Sequence, residues 1–177
     1  MPSGKTHDAI TLLLVPPTFA AAWGLTRSLW LAGVVTAATL FGGLMFGPDL
    51  DIQSRQYTRW GPFRLLWWPY KVVFRHRSRW SHGIVFGTLI RVVYFALVLT
   101  LVTTLAVYLR ATLVAGAALP TWDEVLNAAS AVRAGASQYG ADTRFAIAVF
   151  AGLWWGAATH TLTDVAVSVV RKGSEIF

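Results

Sequence analysis

The stretch LWLAGVVTAATLFGGLMFG, residues 29–47, contains no charged side chain and is followed at once by Pro48-Asp49-Leu50-Asp51. A helix needs about 20 apolar residues to cross about 30 Å of hydrocarbon. The stretch therefore predicts a transmembrane helix, and the two aspartates mark the membrane face at which this helix ends. This pairing of an apolar span with carboxylates at one end is the starting point for both the fold and the site.

Three other apolar segments accompany this span, at residues 9–24, 83–109 and 145–170. The last two are long enough to cross a bilayer. The first is shorter and contains Pro16-Pro17, which predicts a kink because each proline lacks a backbone donor. A cleaved signal peptide is an alternative interpretation of this first segment, with Lys5 as its charged end. The predicted fold is an all-α integral membrane bundle of about four transmembrane helices, forming a single membrane-embedded domain over residues 1–177.

The composition agrees with a membrane protein. The chain is 55% hydrophobic and 13% charged, whereas soluble domains carry about 25% charged residues. There is no cysteine, which excludes disulfides, thiolate metal sites and cysteine nucleophiles. Any metal must therefore be held by nitrogen and oxygen ligands.

The net charge of +7 is concentrated in the loop between the second and third spans. Residues 52–82 combine arginines and lysine with several tryptophans, which predicts an interfacial loop that contacts membrane lipids and their anionic headgroups. The positive-inside rule places this loop and both termini on the cytoplasmic side of the membrane. The second loop contains a predicted amphipathic helix at 121–132, with Thr121 as its N-cap.

This topology brings the histidines, which number four in the chain, to one membrane face together with several aspartates. Each of them lies at or near the cytoplasmic end of a predicted span, which is the pattern expected of a shared metal site. The predicted metal ligands are His7, Asp49, Asp51, His76, His82, His160 and Asp164.

Local spacings favour ligation. His160 and Asp164 are four residues apart on a predicted helix and so share a face. Asp49 and Asp51 flank one residue of a segment predicted to be extended, which would point both carboxylates the same way. Arg91 follows His82 by nine residues, so on one continuous helix it would face away from the site.

These motifs together resemble a bacterial, largely cyanobacterial, group of metal-binding membrane proteins related to the LexA-regulated, YdjM-like inner-membrane metal-dependent hydrolases. That pattern has an early His, Pro-Asp-x-Asp, two histidines around a short loop, and His-x-x-x-Asp in a late helix. Here the corresponding residues are His7, Pro48 to Asp51, His76 with His82, and His160 with Asp164. The resemblance covers nearly the whole chain, although His76 and His82 stand one residue further apart than in the YdjM-like pattern.

The resemblance and the ligand set together suggest a metal-dependent hydrolase of a phosphoester, possibly a lipid. One or two divalent ions are expected, with zinc as the first choice and manganese or iron as alternatives. Asp8, Asp49 or Asp51 is expected to accept a proton during catalysis. Arg77 and Arg79 are expected to bind the anionic group of the substrate.

Two alternatives belong to other functional classes. A non-catalytic metal-binding protein, such as a sensor, carrier or assembly factor, would use the same ligands with no open coordination position. A membrane-tethered nucleic-acid binder would use the basic loop, but topology already accounts for those charges, so nucleic acid is disfavoured as a partner.

Overall fold

The computed structural model describes residues 3–76, 78, 80–114, 116, 118–138, 140 and 142–174, and these residues form helices and connecting turns with no strand. The all-α prediction is confirmed for this part of the chain. The α-helices are α1 (Gly4–Leu13), α2 (Val15–Thr26), α3 (Leu29–Leu44), α4 (Arg55–Thr58), α5 (Trp68–Val73), α6 (Phe86–Leu113), α7 (Trp122–Gln138) and α8 (Thr143–Ser174). Short 3-10 helices cover Pro48–Asp51 and Gly61–Trp67.

The first apolar segment is a bent pair of helices, as the proline pair predicts. Helices α1 and α2 meet at Leu14 with a bend of 40°. Pro16 lies in the first turn of α2, where a missing backbone N–H costs nothing because that donor has no intrahelical partner. The bend turns α1 so that His7 on its buried face points towards the ends of the other helices.

Close contact between α3 and α8 forms the centre of the bundle. A methyl group at Gly42 would come within 2.6 Å of the Leu153 carbonyl oxygen, and one at Gly156 would overlap the backbone of α3 at Thr39 and Gly43. Small residues at such a crossing let two backbones approach closely, which is the common way for apolar helices to pack in a membrane. Because His160 lies one turn beyond Gly156, this crossing sets the position of the site.

The basic loop folds into a second, aromatic core instead of lying wholly on the surface. Trp67 and Tyr70 are fully buried and pack with Phe46 and Leu50. The expectation that the indoles of this loop face headgroups is therefore wrong for Trp67, because its ring fills the space beneath α3 and stacks on Phe95 of α6. Burial raises the pKa of the Tyr70 phenol, so this group stays neutral at physiological pH.

Three helical segments are long and apolar enough to cross a membrane: Leu29–Asp51, Phe86–Leu113 and Thr143–Val170. The bent pair α1 and α2 would be a fourth if it forms one span. These segments coincide with the apolar stretches of the sequence. Many large apolar side chains on α6 point outwards, among them Leu97, Leu101 and Leu105, as expected for a face that meets lipid.

The predicted amphipathic helix in the second loop is present as α7. Thr121 Oγ1 accepts from the Glu124 N–H at 3.3 Å, and Glu124 Oε2 accepts from the Thr121 N–H at 2.7 Å. This reciprocal pair is a capping box, and the hydrogen bonds from Thr121 lower the pKa of Glu124. The predicted N-cap is confirmed, and the helix extends further than the predicted residues 121–132.

Candidate metal centre

The structure brings all of the sequence-predicted metal ligands together at one end of the bundle. His7 comes from α1, and His160 and Asp164 come from α8. The aspartates come from the 3-10 turn after α3, and His76 and His82 come from the loop before α6. Residues that are far apart along the chain therefore meet because the start of α1 and the end of α3 lie beside the C-terminal half of α8.

The first group of ligands is His7, His160 and Asp164, whose ligand atoms all lie within 4.8 Å of one another. His7 Nε2 lies 3.4 Å from Asp164 Oδ1, and His160 Nε2 lies 3.9 Å from Asp164 Oδ2. The two imidazole rings stack at a centroid distance of 3.7 Å. The predicted sharing of one helix face by His160 and Asp164 agrees with this geometry. Both histidines are buried.

The second group is Asp49, His76 and His82, again with ligand atoms within 4.8 Å of one another. His82 Nε2 lies 3.4 Å from Asp49 Oδ1. The two rings meet edge to face with centroids 4.8 Å apart. This group is more open than the first, because the His76 side chain is 31% exposed and that of Asp49 is 20% exposed.

Asp51 occupies a different position from Asp49, which corrects the prediction that both carboxylates point the same way. The Pro48–Asp51 segment is a 3-10 helix, not an extended strand, so residues two apart diverge. Asp51 Oδ1 lies 2.9 Å from His76 Nδ1, and Oδ2 lies 3.6 Å from His82 Nδ1. Asp51 therefore contacts the Nδ1 side of both rings, while His82 Nε2 faces Asp49.

Buried polar atoms without hydrogen-bond partners indicate which kind of ligand this site could bind. Five such atoms of the predicted ligands make no hydrogen bond to any described residue: His7 Nδ1, Asp51 Oδ2, His82 Nε2, His160 Nε2 and Asp164 Oδ1. Orphaned buried polar atoms are costly, and a bound water or ion commonly satisfies them. Imidazole nitrogens with carboxylate oxygens are the ligands expected for zinc, manganese or iron, so the donor set fits a divalent transition metal.

Asp8, a predicted proton acceptor, is engaged in ion pairs at the edge of the site. Arg59 donates two hydrogen bonds to it, from Nη1 at 2.9 Å and from Nη2 at 2.6 Å. Arg55 Nη1 adds a contact of 2.8 Å. These arginines hold the start of α1 against the basic loop. The catalytic role of Asp8 stays a prediction. Its ion pairs with Arg55 and Arg59 connect α1 to α4.

Arg77 and Arg79, the predicted substrate-binding residues, lie outside the described residues. The described residues near them form hydrogen bonds within the loop. Ser81 is fully buried, and its hydroxyl lies 3.1 Å from His82 Nδ1. The same hydroxyl donates to the Arg75 carbonyl oxygen at 3.2 Å. The assignment of Arg77 and Arg79 as anion-binding residues stays a prediction.

Gln56 is a residue of the site that sequence reasoning missed. Its amide nitrogen donates to the Gly43 carbonyl oxygen at 2.7 Å and lies 3.4 Å from His160 Nδ1. Its Oε1 accepts from the Asp49 N–H at 3.1 Å. This one buried side chain thus joins α3, the Asp49 turn and α8. A glutamine in a basic loop carries no distinctive signal, so only the tertiary structure could reveal it.

Arg91 is a second missed residue, and the prediction that it faces away from the site is wrong. Helix α6 begins at Phe86, and residues 81–85 form turns, so the angle expected from a continuous helix starting at His82 does not apply. Arg91 is 1% exposed. It donates to the Ser81 carbonyl oxygen and to Thr88 Oγ1 at 3.1 Å, directly behind His82.

Comparison with known proteins agrees with metal binding. A family model described as "Uncharacterized metal-binding protein (DUF2227)" matches residues 2–173. No curated protein and no solved structure matches the chain. The family match spans every ligand of both groups. The chain therefore belongs to the DUF2227 family of metal-binding proteins.

Proposed function

We propose that this protein is a membrane-bound metal-dependent hydrolase that cleaves a phosphoester, with a lipid phosphoester as the favoured substrate class. The observation that carries the proposal is the number of ligands in the second, more open group. Among the described residues this group offers three side chains, Asp49, His76 and His82. Catalytic metal sites characteristically use three protein ligands and keep a further position for water or substrate, whereas structural sites are closed by four.

The openness of the second group supports a substrate site. His76 and Asp49 are partly exposed, while His7 and His160 are buried. A bound divalent ion would supply Lewis-acid polarisation of a phosphoryl oxygen and would acidify water. Asp49 is the more exposed carboxylate of the site, and when it is not bound to metal it is suited to accept a proton. The Asp51 side chain is fully buried. Asp51 also orients His76 through Nδ1.

The membrane setting supports a lipid substrate. The ligands at this end of the molecule come from the start of α1, the turn after α3, the loop before α6 and the C-terminal half of α8, and the segments Leu29–Asp51 and Thr143–Val170 are apolar and long enough to span a bilayer. The basic loop, whose Arg55 and Arg59 pair with Asp8 beside His7, exposes the apolar side chains Phe63, Leu65, Trp68, Val72 and Val73. Such residues beside arginines favour binding to anionic headgroups. We place this end at the cytoplasmic face of a bacterial inner membrane, with both termini in the cytoplasm.

The test of the proposal is a hydrolysis assay on full-length, detergent-purified protein saturated with Zn²⁺ or Mn²⁺. A soluble phosphodiester and a short-chain phospholipid in mixed micelles are the substrates. We expect metal-dependent release of product that falls at least about 100-fold in His160→Ala, because metal catalysis supplies several kcal/mol. Asp123→Asn, on exposed α7, is the matched control. Folded, metal-loaded wild type that hydrolyses neither substrate would overturn the proposal.

A non-catalytic metal-binding role is the second candidate, and the burial of the first group favours it. His7 and His160 are 6% and 4% exposed, which suits retention of an ion more than exchange of substrate. In that case metal would bind tightly and protect the fold, yet no phosphoester would be cleaved. The same assay therefore decides between the two candidates.

Topology has its own test. Reporter domains fused after residue 27, within the loop near residue 118, and at the C-terminus distinguish cytoplasmic from external positions. We expect the first two to report the external side and the last to report the cytoplasm. The reverse pattern would place the site at the opposite membrane face and contradict the proposed cytoplasmic location.

A further inference from the structure

Asp49 lies between the two ligand groups, and its carboxylate faces both of them. Oδ1 is 3.4 Å from His82 Nε2 in the second group. Oδ2 is 3.3 Å from His160 Nε2 in the first group. Both imidazole nitrogens lack a hydrogen-bond partner among the described residues. One oxygen of a single carboxylate is thus directed at each group.

The backbone of Asp49 is held so that this orientation persists. Its N–H donates to Gln56 Oε1 at 3.1 Å, and its carbonyl oxygen accepts from Ser54 Oγ at 2.8 Å. Gln56 also contacts His160 Nδ1 at 3.4 Å. The turn carrying Asp49 is therefore coupled to α8, which carries one of the two imidazoles that the carboxylate faces.

A single octahedral ion would need all six side chains to converge on one point. The structure instead divides the other five between the two sides of Asp49, with His7, His160 and Asp164 on one side and His76 and His82 on the other. His7 and His160 stack on one side, and His76 and His82 meet on the other. This division favours two ions over one.

We infer that the protein binds two divalent ions bridged by the carboxylate of Asp49. His7, His160 and Asp164 hold the first ion, and His76 and His82 hold the second. Asp51 does not bind metal and orients His76. Two-metal sites use such bridges to keep the ions about 3.5–4 Å apart, close enough to clamp one phosphoester between them. The inference rests on the metal site of the proposed function and not on hydrolysis itself.

The charge of the site bears on the substrate of a two-ion centre. Asp49, Asp51 and Asp164 are opposed by one buried cation among the described residues, Arg91, because Asp8 is paired with Arg55 and Arg59. One divalent ion would make the site neutral, whereas two would leave it positive. A positive site suits an anionic substrate, since oppositely charged groups attract strongly where water is scarce. A two-ion centre would therefore favour a phosphate-bearing substrate.

The test uses full-length protein in detergent, loaded with Mn²⁺ alone. Metal content is measured by elemental mass spectrometry, and the spectrum is recorded by electron paramagnetic resonance. We expect two Mn²⁺ per chain and the spectrum of an exchange-coupled pair. One Mn²⁺ per chain at saturation, or two ions with uncoupled spectra, would overturn the inference, and this result needs no variant.

Variants then assign the bridge. Asp49→Ala is expected to lose the coupled spectrum and to retain about one Mn²⁺, because His7, His160 and Asp164 remain. His76→Ala is expected to give the same single uncoupled ion. Asp123→Ala is the control that should keep the coupled pair. A coupled pair that persists in folded Asp49→Ala would contradict the bridging role.

Failure of this inference differs from failure of the proposed function. A coupled Mn²⁺ pair without hydrolysis of any phosphoester would support the bridged centre and contradict the hydrolase. Metal-dependent hydrolysis by a protein with one ion would support the hydrolase and contradict the bridge.

Discussion

Arg91 Nη1 donates a 2.7 Å hydrogen bond to the carbonyl oxygen of Ser81. The guanidinium thereby ties α6 to the loop that carries His82, the next residue along the chain. Gly87 makes room for this contact, because a methyl group there would come within 2.7 Å of the same carbonyl oxygen. A buried charge is costly unless it is hydrogen-bonded, and these contacts suit Arg91 to hold the loop that carries His82.

Removing this tether should weaken metal binding without unfolding the bundle. We expect Arg91→Lys to lower metal affinity by about 10- to 100-fold, as loss of a supporting contact typically does, because an ammonium cannot reach both Ser81 and Thr88. The measurement is competitive metal titration. Arg110→Lys, exposed in the last turn of α6, should bind metal like the wild type. Equal affinities for both variants would refute the positioning role.

The contact between α3 and α8 should tolerate no added methyl group at Gly156. We expect Gly156→Ala to lower the free energy of unfolding by about 1–3 kcal/mol, the usual cost of overpacking, and to reduce metal binding by moving His160. Gly33→Ala is the control, because a methyl group there meets nothing within 4 Å. Thermal unfolding in detergent measures both. A neutral Gly156→Ala would mean that the two helices can separate freely.

Asp51 should act through His76 and not as a ligand. We expect Asp51→Asn to retain the wild-type amount of metal at saturation while lowering affinity by about 10- to 100-fold, the range for partners of ligating histidines. Titration against a chelator of known affinity gives both quantities. Complete loss of one ion at saturating metal would instead make Asp51 a ligand, as the sequence predicted.

Asp8 should stabilise the fold and leave the chemistry intact. We expect Asp8→Asn to lower the free energy of unfolding by about 1–3 kcal/mol, since it leaves Arg59 with a weaker acceptor, and to keep both metal content and hydrolysis. Unfolding and the phosphodiester assay are measured on the same preparation. If hydrolysis disappears while fold and metal remain, Asp8 is a proton acceptor.

Metal should stabilise the protein in a pH-dependent way. Ligand histidines must be unprotonated to bind an ion, so the bound state releases protons and is favoured as pH rises. We expect Zn²⁺ at 100 times its Kd to add about 2.7 kcal/mol of stability near pH 8 and much less near pH 5. Thermal shift with and without a chelator measures the difference. Equal shifts at both pH values would exclude the histidines as ligands.

Much of the fold follows from local patterns. Uninterrupted apolar stretches predict the long helices α3, α6 and α8, because each pattern lies within one segment and needs no partner to be recognised. Pro16 and Pro17 predict the bend between α1 and α2 for the same local reason. Thr121 predicts the start of α7, since an N-cap residue is recognised from the few residues that follow it.

The candidate ligands could also be predicted from the sequence, because few polar side chains interrupt so apolar a chain and all of its histidines lie at one predicted face. The division of these ligands into two groups could not be predicted. That division depends on how α1, α3 and α8 cross, which the close contacts at Gly42 and Gly156 set. The sequence alone contains no measure of that crossing.

What the sequence by itself determined is the class of the protein: all-helical, rich in apolar spans, with nitrogen and oxygen ligands and no thiolate. Only the tertiary structure decided the roles. It placed Asp49 between two groups, turned Asp51 to the Nδ1 side of His76, paired Asp8 with Arg59, and brought Arg91 and Gln56 to the site. Hydrophobicity and helix period are local properties, whereas the direction of a carboxylate depends on a turn packed against distant helices.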